Sequence, residues 1–150
     1  MVVAEIKNHR RRRITRASGR VEAGAGNGQR GVPVDGVNAT TAPLVDPRAA
    51  AYDAAGNLYI VERGGNALRV VDTEGKVRTV AGSGKKGKAD GVGQQATLNG
   101  PKQLARDSAG AVYIAGDNNH LVRCFHPKTG SLTTVLDWGE FTLNRPHCVP

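Results

Sequence analysis

The stretch PRAAAYDAAGNLYI, residues 47–60, realigns 54 residues later as PKQLARDSAGAVYI, residues 101–114. Pro47, Asp53, Gly56, Tyr59 and Ile60 recur as Pro101, Asp107, Gly110, Tyr113 and Ile114. Each copy carries Asp first and Gly fourth in a short segment, Asp53-Ala54-Ala55-Gly56 and Asp107-Ser108-Ala109-Gly110. That is the composition of a type I turn, so the copy reads as a hairpin, with a first strand over 48–52 and a second over 57–61. Downstream, Gly64-Gly65-Asn66 and Asn118-Asn119 tolerate positive φ and turn the chain into a third strand near 68–71 or 122–125. Thr73-Glu74-Gly75 and Lys128-Thr129-Gly130 turn it again into a fourth, over 76–80 or 131–136. The match runs through Arg69 onto Arg123, then needs one inserted residue so that Gly75 meets Gly130 and Val80 meets Val135.

The same template extends over the rest of the chain. Leu98-Asn99-Gly100-Pro101 recurs as Leu143-Asn144-Arg145-Pro146, and Leu44 and Pro47 hold the same places one unit earlier. Displaced by 56, Ala25-Gly26-Asn27-Gly28 falls on Ala81-Gly82-Ser83-Gly84 and Gly31 on Gly87; one further step puts Val2-Val3-Ala4-Glu5 on Tyr59-Ile60-Val61-Glu62. Tandem units of four short antiparallel strands, each about 40 to 50 residues with its linker, are the signature of propeller blades. The fold class expected is all-β: an incomplete β-propeller, with a partial blade and its loop over 1–43, blades over 44–97 and 98–142, and the first strand of a further blade over 143–150. The chain holds about three blades' worth of strands, whereas propellers close with roughly four to eight. Exposed blade edges would then favour self-association, for instance two copies closing a six-bladed ring.

These residues resemble the NHL-repeat β-propellers. The resemblance rests on second strands of the GNLYIVE type, on Asn8-His9-Arg10 and Asn119-His120-Leu121 at the signature Asn-His-Leu position, and on the linkers AGSGKKG and LNGP. It covers essentially the whole chain, with one departure: Arg11 and Arg13 stand where the next unit has Leu68 and Val70. The resemblance implies a scaffold that binds a protein or a small ligand on a broad surface, and it makes His9 and His120 signature residues of a turn.

Composition agrees with short strands. Hydrophobic residues are 39% and aromatics 4%, with 20 glycines, so the core must come from Val, Leu, Ile and Ala between tight turns. No apolar run is long enough to cross a bilayer, and Met1 to Glu5 lack the basic and apolar regions of a secretory signal, so no membrane partner is expected. Two cysteines, Cys124 and Cys148, make neither a disulfide framework nor a structural zinc site.

The net charge of +8 is lopsided, with +6 of it in residues 1–30. The run Arg10, Arg11, Arg12, Arg13 invites a nucleic-acid reading, and NHL propellers of the tripartite-motif family hold single-stranded RNA on a basic face. On a strand, however, alternate residues face opposite sides, so the four arginines divide into two pairs. The loop Gly82-Ser83-Gly84-Lys85-Lys86-Gly87-Lys88-Ala89 imitates a phosphate loop but has Ala89 where the hydroxyl for Mg²⁺ would stand, and no helix is expected after it.

In the peptidylglycine amidating lyases, propellers similar to this one, a Pro-His pair opening the innermost strand of several blades supplies zinc ligands. Pro146-His147 matches that pair, but the equivalent positions are Pro47-Arg48 and Pro101-Lys102. The three imidazoles a catalytic zinc needs are missing, so no metal, no cofactor and no catalytic residue are expected. Arg48, Lys102 and His147 are instead expected to face a common mouth of the central channel and to favour an anionic ligand.

Overall fold

A computed structural model describes residues 2–5, 8–14, 17–116 and 118–137. Three antiparallel sheets follow one another along the chain. The first contains β1 (Val2–Glu5), β2 (Arg10–Ile14) and β3 (Val21–Ala25); the second contains β4 (Pro47–Tyr52), β5 (Leu58–Glu62), β6 (Ala67–Val71) and β7 (Val77–Ala81). The third begins with the two-residue β8 (Gly91–Val92) and continues through β9 (Pro101–Arg106), β10 (Val112–Gly116), β11 (Leu121–His126) and β12 (Ser131–Asp137). Within each sheet the strands pair in chain order, except that β8 crosses to the far edge and pairs with β12. This is the meander of propeller blades, and the described residues form an incomplete propeller.

The turns follow from their aspartates. Asp53 Oδ1 accepts the N–H of Asn57 at 2.8 Å, and Asp107 Oδ1 that of Ala111 at 2.9 Å. Gly56 and Gly110 then take φ of +93° and +95°, a conformation that costs most residues a Cβ clash. The residue inserted in the third blade lies in its last hairpin, where the His126 carbonyl accepts the N–H of both Thr129 and Gly130.

The turn between second and third strands follows the expectation in the second blade and departs from it in the third. Asn66, within the expected Gly64-Gly65-Asn66, takes φ +44°, whereas in the third blade the left-handed residue is His120, at +54°, one beyond Asn118-Asn119; in the first blade it is His9, at +48°. Asn and His are among the residues that tolerate this region, so His9 and His120 serve the backbone of a turn.

The second blade is buried on both faces. Leu58, Ile60, Val71 and Val77 pack with Ala25, Ala39, Ala42 and Leu44 on one side; Tyr59, Val61, Leu68 and Val70 pack with Val112, Ile114, Phe125 and Leu132 of the third blade on the other. The Tyr59 and Phe125 rings meet across that seam, tilted, with centroids 6.3 Å apart. Val135, which aligns with the half-buried Val80, is 56% exposed, because its face of the third blade has no described sheet against it.

Candidate functional site

The innermost strands of the second and third blades, β4 and β9, lie side by side. Each breaks register at its second residue. Pairing jumps from Pro47–Glu62 to Ala49–Val61 in one blade, and from Pro101–Gly116 to Gln103–Ala115 in the other. Arg48 and Lys102 therefore sit on equivalent bulges at the same end of neighbouring strands, a device that re-aims a side chain at a strand end. Both are partly buried. His147, the third member of the expected set, lies outside the described residues.

The residue before each opening proline is left-handed as well: Asp46 has φ +50° and Gly100 has φ +61°. At the first junction Asp46 turns its carboxylate to Arg48, with Oδ1 3.4 Å from Nε and both side chains about a quarter exposed (25% and 26%). That contact is an ion pair without hydrogen-bond geometry, and Arg48 Nε makes no hydrogen bond to a described residue. The Asp46 carbonyl accepts the Arg63 N–H at 3.0 Å. The point that a Cβ on Gly64 would occupy lies 3.1 Å from Asp46 Cβ and 3.6 Å from Arg30 Nη2, so the Arg30 guanidinium flanks the same turn. Lys86, 56 residues after Arg30, holds the equivalent place in the next linker, since Gly31 and Gly87 donate to the carbonyls of Leu44 and Leu98 in matching bonds.

The arginine run lies on β2. Arg10 Nη2 donates to the Asn27 carbonyl at 3.0 Å, and its guanidinium lies over Gly28. Arg12 stands at the bulge of its strand, as Arg69 and Arg123 do in the next two blades. It is thus a repeat position rather than part of a basic tract. The side chains of Arg11 and Arg13 lie outside the described residues. The lysine loop is an extended linker that ends in a single short 3₁₀ turn, Gly93–Gln95.

The sequence reading passed over the most deeply buried charges. Arg69 is 3% exposed and Glu62 0%; Arg69 Nε and Nη2 both lie 2.9 Å from Glu62 Oε2, and Nη1 donates to the Thr79 hydroxyl. Glu62 Oε1 accepts the Val45 N–H at 2.8 Å, tying the blade to its incoming linker. In the third blade Gly116 stands at the Glu62 position, and Arg123 turns to the linker instead. It donates to the carbonyls of Thr97 and Ala89 and to Asp90 Oδ1, each at 2.8 to 2.9 Å. Asp90 also takes the N–H and hydroxyl of Thr134, as Asp35 takes those of Thr79. The signal for this was the repeated Asp-Gly-Val, Asp35-Gly36-Val37 and Asp90-Gly91-Val92. Each copy lays the linker along the outer strand of the following blade.

Burial pushes the Cys124 thiol up, which keeps it protonated at neutral pH. Burial also raises the Asp53 carboxyl, but hydrogen bonds from Asn57 and Ala55 and the charge of Arg106 outweigh it and hold Asp53 below the ordinary range. Asp53, Arg106, Asp107, Tyr113 and Lys128 line an open groove of about 760 Å³ at the opposite end of the blades from Arg48. No group of three His, Cys, Asp or Glu comes together among the described residues, and no helix among them is long and apolar enough to cross a membrane.

These features define a β-propeller, and comparison with solved structures agrees. The chain is similar to a structural genomics protein of unknown function from Bacteroides thetaiotaomicron, at 26% identity and TM-score 0.69 over 89% of this chain and 31% of that one. It is similar to an auxiliary nutrient binding protein from Bacteroides ovatus, at 25% identity and TM-score 0.63 over 90% of this chain and 35% of that one. A gluconolactonase from Xanthomonas campestris, at 19% identity and TM-score 0.63 over 91% of this chain and 43% of that one, shares the fold. The chain thus spans about a third of the length of the first two. No protein family and no curated protein matches it by sequence.

Proposed function

We propose that this chain is a segment of an NHL-type, six-bladed propeller that binds an anionic ligand at the mouth of its channel without transforming it. The observation that carries the reading is the pair of matched bulges, which set Arg48 and Lys102 at one repeat position on adjacent innermost strands. Cations at that place repel a bare metal ion and attract a carboxylate or phosphate. The similarity to an auxiliary nutrient binding protein supports binding over catalysis; the gluconolactonase, at 19% identity, contributes fold alone. Calorimetric titration of the protein with sodium phosphate tests the reading. Arg48→Ala and Lys102→Ala should each weaken binding about tenfold, the scale of a lost charge-assisted contact. Unchanged affinity in both variants would overturn it.

RNA binding is the second reading. It draws on the arginine run Arg10, Arg11, Arg12 and Arg13 of β2 and on the +6 charge of residues 1–30. It requires affinity that falls steeply with salt.

A further inference from the structure

The Asp46 turn joins three features. Asp46 is left-handed, its carboxylate faces Arg48 at 3.4 Å, and the Arg30 guanidinium flanks the turn from the preceding linker. One guanidinium, that of Arg48, thus faces a carboxylate that belongs to the chain itself, and a second, that of Arg30, stands beside the turn that carries it. Arg30 is exposed, and Asp46 and Arg48 are about a quarter exposed (25% and 26%), so solvent and small ions reach the cluster. The ion pair is looser than a charge-assisted hydrogen bond, which would bring the atoms to about 2.7 to 2.9 Å.

We infer that Asp46 is a built-in competitor for the anion site, and that the ligand group which displaces it is a dianionic phosphate monoester. The inference rests on the anion-binding reading above and sharpens it. A ligand carboxylate would gain little, because it replaces a like charge that the backbone already holds at high effective concentration. A phosphate monoester carries about −1.5 to −2 charge at neutral pH and presents three acceptor oxygens to two guanidinium forks. It alone outbids the tethered carboxylate. The next junction has Gly100 at the Asp46 position, so this competitor belongs to the first junction.

Isothermal titration with inorganic phosphate and with acetate, on wild type and on Asp46→Asn, provides the test. Asn accepts the left-handed backbone, so the variant keeps the turn. Wild type should bind phosphate and show no saturable acetate binding. Asp46→Asn should bind phosphate about threefold to tenfold more tightly and acquire acetate binding, the scale of removing one like charge near a partly exposed site. Arg30→Ala in the Asp46→Asn background should undo the gain. Equal binding of acetate and phosphate by wild type, or no gain in Asp46→Asn, overturns the competitor while leaving the Arg48 and Lys102 reading standing. No phosphate binding by either protein overturns both.

Discussion

The second and third blades answer one problem in two ways. Each plants an arginine, Arg69 or Arg123, at the same bulge on its third strand, almost wholly out of water. The second blade neutralises it from within, by the 0% exposed Glu62 one strand away. The third blade has Gly116 there, and neutralises its arginine from the linker, by Asp90, whose side chain is 49% exposed. In the first solution the charge pair stiffens one blade and reaches out to Val45; in the second the arginine is itself the clasp that holds linker to blade. A repeat therefore preserves the place of a charge more faithfully than the place of its partner.

The largest expected effect follows from the buried pair. Glu62→Ala would strand Arg69 without a counter-charge and free the Val45 N–H, costing about 3 to 5 kcal/mol. Urea unfolding of the chain measures it. Arg123→Met should cost less, about 1 to 3 kcal/mol, because Asp90 returns to water while two linker carbonyls lose a donor. If the two substitutions cost the same, the distinction between an internal pair and a linker clasp fails.

Acid sharpens the contrast. Burial pushes the Asp90 carboxyl up, but the Thr134 N–H and hydroxyl together with Arg123 outweigh it and hold Asp90 below its ordinary 3.8. A carboxylate held down in the folded state stabilises the protein above the unfolded value, and that contribution is lost as pH falls through the depressed folded value. Stability should thus fall below about pH 4, and Asp90→Asn should flatten part of that slope, read as urea midpoints at neutral and acid pH. Asp53, lowered as well, keeps a residual slope. An Asp90→Asn protein with the wild-type acid profile would show that the clasp carries no charge linkage.

The smallest effect concerns the left-handed turn. The second blade uses Asn66 where the third uses His120, so His120→Asn should shift stability by less than about 0.5 kcal/mol, whereas His120→Val should cost about 1 to 2 kcal/mol. Thermal melts separate the two. A large loss on His120→Asn would give the imidazole a role beyond the backbone.

The blades were legible because Asp-x-x-Gly turns and alternating apolar residues recur at a fixed spacing, and both signals are local. The buried ion pairs were not. Arg69 and Arg123 looked like alignment markers, since a charged residue on a short strand reads as solvated until the partner is known, and the partners lie in different elements. β8 was missed because two residues carry no period; only the repeated Asp-Gly-Val betrays it. Val135 aligns with Val80, but burial depends on the neighbouring sheet, which neither the repeat nor strand propensity encodes. At the candidate site, Arg48 and Lys102 were legible from the prolines before them. Arg30 and Asp46 were not, because only the folded linker brings Arg30 to the turn.

The most direct measurement is a phosphate titration of the ¹⁵N-labelled protein followed by amide chemical shifts. Saturable changes are expected at Arg30, Asp46, Arg48 and Lys102, at the linker end of the second and third blades. Changes concentrated at Ala54, Ala109 and Lys128, in the groove at the opposite end, or no saturable change at all, would contradict an anion site at the channel mouth.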